Sequence, residues 1–127
     1  MGYGAHMSIK NNSSKTVKIN ISAQNCMYDN GAEGSRLAVF NDLTIKAFTS
    51  VPSTGGQYIE AKASGSCAFS ASTFDLKITG LNEDAFIVGF RESGNNYHSK
   101  NQPEHVDVHI DNSRDQAIII ITLNDPA

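Results

Sequence analysis

The stretch VKINIS, residues 17–22, alternates strictly between apolar and polar side chains. Successive side chains of a β-strand point to opposite faces, so this alternation places one face on a core and the other in water. No stretch of the sequence shows the 3.6-residue apolar period of a capped amphipathic helix. The chain is therefore predicted to be all-β. The same period of two recurs in LTIKA (43–47), IEAKA (59–63), TFDLKI (73–78) and HVDVHI (105–110).

Turn-forming residues divide the chain into about seven or eight short strands. SIK at 8–10 is interpreted as the hairpin partner of the strand at 17–21, and the apolar runs at 85–90 and 117–123 as buried strands. Short strands at this spacing are typical of a single antiparallel β-sandwich, which is the fold we predict. The longest polar clusters are NCMYDNGAEGSR (25–36) and ESGNNYHSKNQP (92–103), both interpreted as loops.

The length of 127 residues allows one domain with its own hydrophobic core. The first seven residues, MGYGAHM, are interpreted as the remnant of an expression tag. The predicted β-sandwich domain therefore spans residues 8–127. The sequence shows no signal peptide, and both a secreted and a cytoplasmic location stay open.

Composition and charge exclude several classes of function. The chain carries 10 Lys and Arg against 13 Asp and Glu, whereas nucleic-acid-binding proteins carry a basic excess. Its longest dense apolar run, AIIII at 117–121, is far shorter than the roughly 20 residues of a membrane-spanning helix. The sequence has neither a nucleophile-elbow motif nor a glycine-rich phosphate loop. We therefore expect a non-catalytic protein that needs no cofactor and binds no nucleic acid.

Cys26 and Cys67 are the two cysteines of the chain. They lie in different segments, and their spacing matches no metal-ligand motif. Two free thiols, as in an intracellular protein, are the favoured interpretation. A disulfide between them is the alternative.

The pattern His105, Asp107, His109 is the sharpest candidate for a metal site. Alternation places these three side chains on one face of a strand, at spacings of about 6.6 Å that one ion can bridge. Imidazole nitrogens and carboxylate oxygens are ligands for zinc and similar divalent ions. The alternative is a solvated strand face that carries two histidines and no ion.

Tyrosines in polar loops are the candidates for ligand binding. Tyr28 lies near Asn30, and Tyr97 lies beside Asn96, within the two long predicted loops. An aromatic ring combines apolar area with a polar edge, which suits sugar stacking or insertion at lipid headgroups. These four residues are therefore the predicted binding site for a membrane lipid or a glycan.

Three segments carry a resemblance to a known family: SIKNNSSKTVKI (8–19), YDNG (28–31) and SCAFSASTFDL (66–76). In that order they resemble the opening strand, turn and strand, the aromatic loop, and the stretch that leads to the Phe-Asp-Leu strand of the aegerolysins, small acidic β-sandwich proteins of fungi and bacteria. Family members carry several tryptophans, whereas this chain has none. The resemblance implies recognition of a membrane lipid, a pore-forming protein partner and, in some bacterial relatives, a binary insecticidal toxin. Our leading prediction is accordingly a non-catalytic lipid-binding module.

Two other functions fit the same composition. A carbohydrate-binding lectin would use Asn and Asp side chains of the loops to bind sugar hydroxyls, with Tyr97 as the stacking ring. A self-assembling structural protein would form a homo-oligomer. In that case the β-prone run at 118–121 would favour association if it lay at an open sheet edge.

Overall fold

The structure is a computed structural model, and it describes residues 3–28, 34–100 and 102–126. Over these ranges it contains eleven β-strands, short 3₁₀ helices at Leu37–Phe40 and Gly65–Cys67, and no α-helix. No helix in the described ranges is long and apolar enough to cross a membrane. The strands are β1 (Gly4–Asn12), β2 (Val17–Asn25), β3 (Met27–Tyr28), β4 (Leu43–Ile45), β5 (Ser50–Val51), β6 (Gln57–Ala61), β7 (Ser72–Thr79), β8 (Phe86–Ser93), β9 (Asn96–Lys100), β10 (Val106–Asp111) and β11 (Ala117–Asn124).

The strands form two sheets. In the first, which we call the mixed sheet, the order is β10-β11-β1-β6-β3, and the short β5 also pairs with β1. In the second, which we call the antiparallel sheet, the order is β4-β2-β7-β8-β9. The prediction of an all-β protein is confirmed.

One strand pair departs from the predicted antiparallel arrangement. β1 and β11 run parallel, in register from Ala5 opposite Ala117 to Asn12 opposite Asn124. The prediction of purely antiparallel strands is wrong for this pair, because alternation within a strand carries no information on the direction of its neighbour. The strands are also more numerous than predicted. β3 and β5 have two residues each, and β9 lies within a segment that was interpreted as a loop.

The inward faces of the two sheets contribute to one hydrophobic cluster. Alternation predicted members of this core, since Val17 and Ile19 of β2 and Leu76 of β7 are at most 1% exposed. Two rings of the antiparallel sheet, Phe74 and Phe90, stack in the core with centroids 5.0 Å apart. The mixed sheet contributes Ala5, Met7, Ile9, Ile59, Ala61, Val106, Ala117, Ile119, Ile121 and Leu123.

The first strand begins earlier than predicted. β1 starts at Gly4, and its side chains Ala5 and Met7 are completely buried. The folded domain therefore begins before residue 8, the boundary expected from the sequence. The predicted hairpin is also wrong, because β1 pairs with β11, β6 and β5, whereas β2 pairs with β4 and β7.

A buried polar corner lies at the connection between β1 and β2, which belong to different sheets. The Asn11 side chain is 1% exposed and donates hydrogen bonds to the carbonyl oxygens of Lys15 and Ile45, at 2.7 and 3.1 Å. Its Oδ1 accepts hydrogen bonds from the backbone N–H and the hydroxyl of Ser13, at 3.1 and 2.6 Å. These bonds stabilise a connection that carries the chain from one sheet to the other instead of folding it back as a hairpin.

A disulfide joins Cys26 to Cys67, so the favoured interpretation of two free thiols is wrong. The fold brings together two segments that are 41 residues apart in sequence. β3 pairs with β6, and the N–H of Lys62 donates a hydrogen bond to the carbonyl oxygen of Cys26 at 2.7 Å. The bond thereby ties the bend before β3 to the 3₁₀ helix that follows β6.

Removing this disulfide is expected to destabilise the protein. A cross-link between residues 41 positions apart restricts the unfolded chain, which raises the free energy of unfolding by roughly 2–4 kcal/mol. Urea denaturation of the double variant Cys26→Ser/Cys67→Ser measures the loss, with reduced wild type expected to match the variant. An unfolding midpoint that is the same in all three samples would contradict a disulfide in the folded protein.

Candidate functional site

The outward face of the mixed sheet carries a groove of about 560 Å³. Its base is formed by two neighbouring strands, because His6 and Ser8 of β1 lie in register with Ile118 and Ile120 of β11. The chain from β5 to β6 forms a wall along one side. The volume falls in the range of small-molecule sites. We call this site the groove, and it is lined by His6, Ser8, Lys10, Ser50, Pro52, Ser53, Thr54, Gly55, Gly56, Ile118 and Ile120.

A glycine lets the wall of the groove lie directly on β1. The two residues of β5 pair with Ile9 and Lys10, and the chain then runs back along β1 toward β6. At Gly56 an added Cβ would lie 2.9 Å from both the carbonyl carbon and the Cβ of His6. Such an approach is too close for real atoms, so a larger residue at position 56 would push the wall away from β1.

The lining of the groove is amphiphilic. Ile118 and Ile120 are half-buried and, together with Pro52, provide apolar surface. Serine and threonine hydroxyls lie on the same wall as Pro52 and, at Ser8, on the base, and Lys10 brings an ammonium group. The run at 117–123 was interpreted as a buried strand, yet only one of its faces packs into the core. The other face forms the floor of the groove.

Phe48 lies at the Lys10 end of the groove and was missed by sequence reasoning. Its side chain is 67% exposed, and it lines a smaller depression together with Lys10 and Ser50, which also line the groove. Its backbone has a φ of 59°, in the left-handed region that L-residues rarely adopt. A signal was present in the sequence, because Phe48 follows LTIKA and falls on the polar phase of that alternation.

A hydrogen-bonded tyrosine lies beside His6, at the end of the groove away from Phe48. The ring of Tyr58 lies 5.4 Å from the ring of His6, and its hydroxyl donates a hydrogen bond to the carboxylate of Glu60. The ring also covers Gly4, where an added Cβ would lie 2.5 Å from the tyrosine hydroxyl. Glu60 itself is 3% exposed, and no hydrogen bond reaches its Oε2 from the described residues. This buried carboxylate holds the Tyr58 ring at the border of the groove.

Tyr97 is a core residue and not a ligand-binding ring. It is 1% exposed, its hydroxyl donates a hydrogen bond to the carbonyl oxygen of Tyr3 at 2.7 Å, and the two rings lie 5.7 Å apart. Burial raises the pKa of Tyr97. The prediction is therefore wrong for this residue, because the segment interpreted as a loop contains β9. The neighbouring Asn96 is exposed and is the first residue of β9.

Tyr28, from the other predicted binding loop, is separated from the groove. Tyr28 lies at the end of β3, half-buried and in register with Glu60, and the Nζ of Lys62 is 5.4 Å from the centre of its ring. Since β6 lies between β3 and β1, Tyr28 does not line the groove. Its predicted partner Asn30 lies outside the described residues.

The predicted metal site is not formed. Asp107 and His109 do lie on the outward face of β10, as alternation predicted. However, Asp107 accepts a hydrogen bond from Nδ2 of Asn124 at 3.1 Å, and the His105 ring packs edge-on to Phe86 at 6.4 Å. In the part of the chain that the structure describes, no three His, Cys, Asp or Glu side chains form a group that could hold a metal ion.

A buried carboxyl group lies beside Tyr97. Glu92 of β8 is in register with Tyr97 and is 9% exposed. Desolvation raises the pKa of Glu92, and the hydrogen bond that its Oε2 accepts from the N–H of Asn95, at 3.0 Å, opposes this shift. The folded protein therefore binds a proton at Glu92 more tightly than the unfolded chain does.

The variant Glu92→Gln is expected to be more stable than wild type at neutral pH. The raised pKa means that ionised Glu92 disfavours folding, so stability falls as pH rises from the ordinary carboxyl pKa through the folded value. Gln removes the charge and keeps an acceptor for the Asn95 N–H. Thermal unfolding from pH 3 to pH 8 should show an advantage of the variant that disappears at acidic pH. An advantage independent of pH, or one equally present in the exposed control Glu104→Gln, would contradict this account.

The function of this protein has to be inferred from the groove, because comparison with known proteins does not supply one. No protein-family profile matches this chain, and no curated protein matches its sequence. Since similar β architectures carry many unrelated functions, fold class alone does not identify a ligand.

Proposed function

We propose that this protein is an aegerolysin-like β-sandwich that binds a membrane lipid without catalysis. The observation that carries the proposal is the amphiphilic groove with the exposed Phe48 at its end. An apolar floor, hydroxyl groups and a lysine are the groups that a lipid headgroup and its adjoining chain would contact. The resemblance to aegerolysins adds a pore-forming protein partner and a role in a toxin system to the proposal.

Phe48 would anchor the groove to the membrane surface. Transfer of a phenylalanine side chain from water to an apolar medium contributes about 1.5–3 kcal/mol. Lys10 shares the depression beneath Phe48, and a lysine can keep its ammonium group at the level of the headgroups while its stem lies on apolar surface. The groove would then open onto the headgroup layer at its Phe48 end.

The two alternative functions lose their main support. A glycan-binding site was predicted to use Tyr97 as its stacking ring, and that ring is buried, so the proposal of lipid binding rests on the groove and not on Tyr97. Self-association was predicted if the isoleucine run lay at an open edge. Instead, β11 lies between β10 and β1, so its backbone is paired on both sides. Paired strands of this kind do not template further strands.

Phe48→Ser is expected to lower binding to lipid vesicles by about ten-fold or more, because the side chain loses its apolar transfer free energy. Co-sedimentation with vesicles of varied composition measures the bound fraction. Phe69→Ser is the matched control, since Phe69 is fully exposed but lines a different depression, one that includes Tyr3 at the opposite end of β1.

The two variants distinguish lipid binding at the proposed site from nonspecific adsorption of exposed phenylalanine side chains to vesicles. Loss of binding in Phe48→Ser, with Phe69→Ser unchanged, would support the groove as the lipid site. Equal loss in both variants would contradict it. Absence of wild-type binding to every vesicle composition would overturn the proposed function.

A further inference from the structure

We propose that the lipid bound in the groove has an anionic headgroup without an ammonium group, such as that of phosphatidylglycerol. This inference rests on the proposed function, and it names the class of lipid. It follows from the ionisable groups of the groove and from the positions of the nearest carboxylates.

The ionisable groups that line the groove are basic. Among its described lining residues, Lys10 and His6 can carry positive charge and none is acidic. Lys10 is exposed, and it lies at the end of the groove next to Phe48. A lysine ammonium is a point-charge partner for a phosphate group. The hydroxyls that could donate hydrogen bonds to phosphate oxygens belong to Ser8, Ser50, Ser53 and Thr54.

The nearest carboxylates on the same face do not line the groove. Asp111 is in register with Ile118, but its Oδ1 accepts hydrogen bonds from the N–H and hydroxyl of Ser113 at 2.9 and 2.6 Å. Asp107 accepts a hydrogen bond from Asn124, and Glu60 is buried against Tyr58.

A choline or ethanolamine group would therefore find no suitable partner in the groove. Proteins recognise such ammonium groups through carboxylates or through several aromatic faces. The groove lining includes no Asp or Glu, and Glu60 is 3% exposed beneath the Tyr58 ring. The two rings that border the groove, Tyr58 and Phe48, lie at its opposite ends and do not enclose one cation between them. A headgroup with a phosphate group and neutral hydroxyls finds partners in the lysine and the hydroxyls of the lining. In a zwitterionic headgroup the phosphate group has these partners, but the ammonium group has none.

The selectivity would come from the groove and not from the charge of the whole protein. The chain has a net charge of −3 at pH 7, which opposes approach to an anionic membrane. Attraction must then be local, and it must depend on Lys10. An equally exposed lysine elsewhere should contribute little.

Co-sedimentation with three kinds of vesicle tests the inference. The vesicles are phosphatidylcholine alone, phosphatidylcholine with phosphatidylethanolamine, and phosphatidylcholine with phosphatidylglycerol, all at one ionic strength. We expect wild type to bind the phosphatidylglycerol vesicles several-fold better than the other two. Lys10→Gln should reduce that binding by about five-fold, the contribution of one lysine near an anionic surface. Lys77→Gln, on the exposed face of β7, removes the same charge far from the groove and should leave binding unchanged.

Each contrary result has a distinct meaning. Equal binding to all three kinds of vesicle would overturn the anionic preference while leaving the lipid-binding function intact. Equal losses in Lys10→Gln and Lys77→Gln would show attraction to surface potential alone and would also overturn the inference. Inorganic phosphate at matched ionic strength should not compete. Displacement by phosphate would indicate a free anion as ligand and would contradict a membrane source.

Discussion

The parallel pairing of β1 with β11 is the constraint on which the rest of the structure depends. Eight residue pairs join the first strand of the chain to the last, from Ala5 opposite Ala117 onward. Parallel neighbours cannot be connected by a tight turn, so all the intervening chain must be accommodated between them. β1 thereby lies inside the mixed sheet, with Met7 and Ile9 directed into the core. The other face of the same strand is left for the groove.

This pairing also sets the chemistry of the groove. The register places the polar residues His6 and Ser8 directly beside the half-buried Ile118 and Ile120, so one surface combines apolar and polar groups. Antiparallel pairing of β5 and β6 with the other side of β1 then brings the wall from Pro52 to Gly56 over the base. At the end of β1, the hydrogen bonds of the Asn11 side chain stabilise the connection that leads into the antiparallel sheet. A groove with paired strands at its base is held by backbone hydrogen bonds and not by loop conformation alone.

The all-β class and much of the core could be predicted from alternation, because inward positions such as Val17, Ile19 and Leu76 repeat with the period of a strand. Long-range pairing could not, since nothing local links Ala5 to Ala117 or Cys26 to Cys67. Tyr97 was misassigned because its neighbours are polar and only one side chain of β9 marks the inward face. The groove was missed for the opposite reason. A run of isoleucines suggests burial on both faces, whereas the structure buries Ile119 and Ile121 and presents Ile118 and Ile120 outward.

The central claim is that the outward face of β1 and β11 binds lipid, and NMR tests it most directly. Soluble dihexanoylphosphatidylglycerol would be titrated into ¹⁵N-labelled protein, and amide chemical shifts would be followed. The account predicts that the largest changes occur at Ser8, Lys10, Gly55 and Ile120, and that residues near Phe69 are unaffected. Changes concentrated around Phe69 or the turn between β8 and β9, with the groove unchanged, would contradict it.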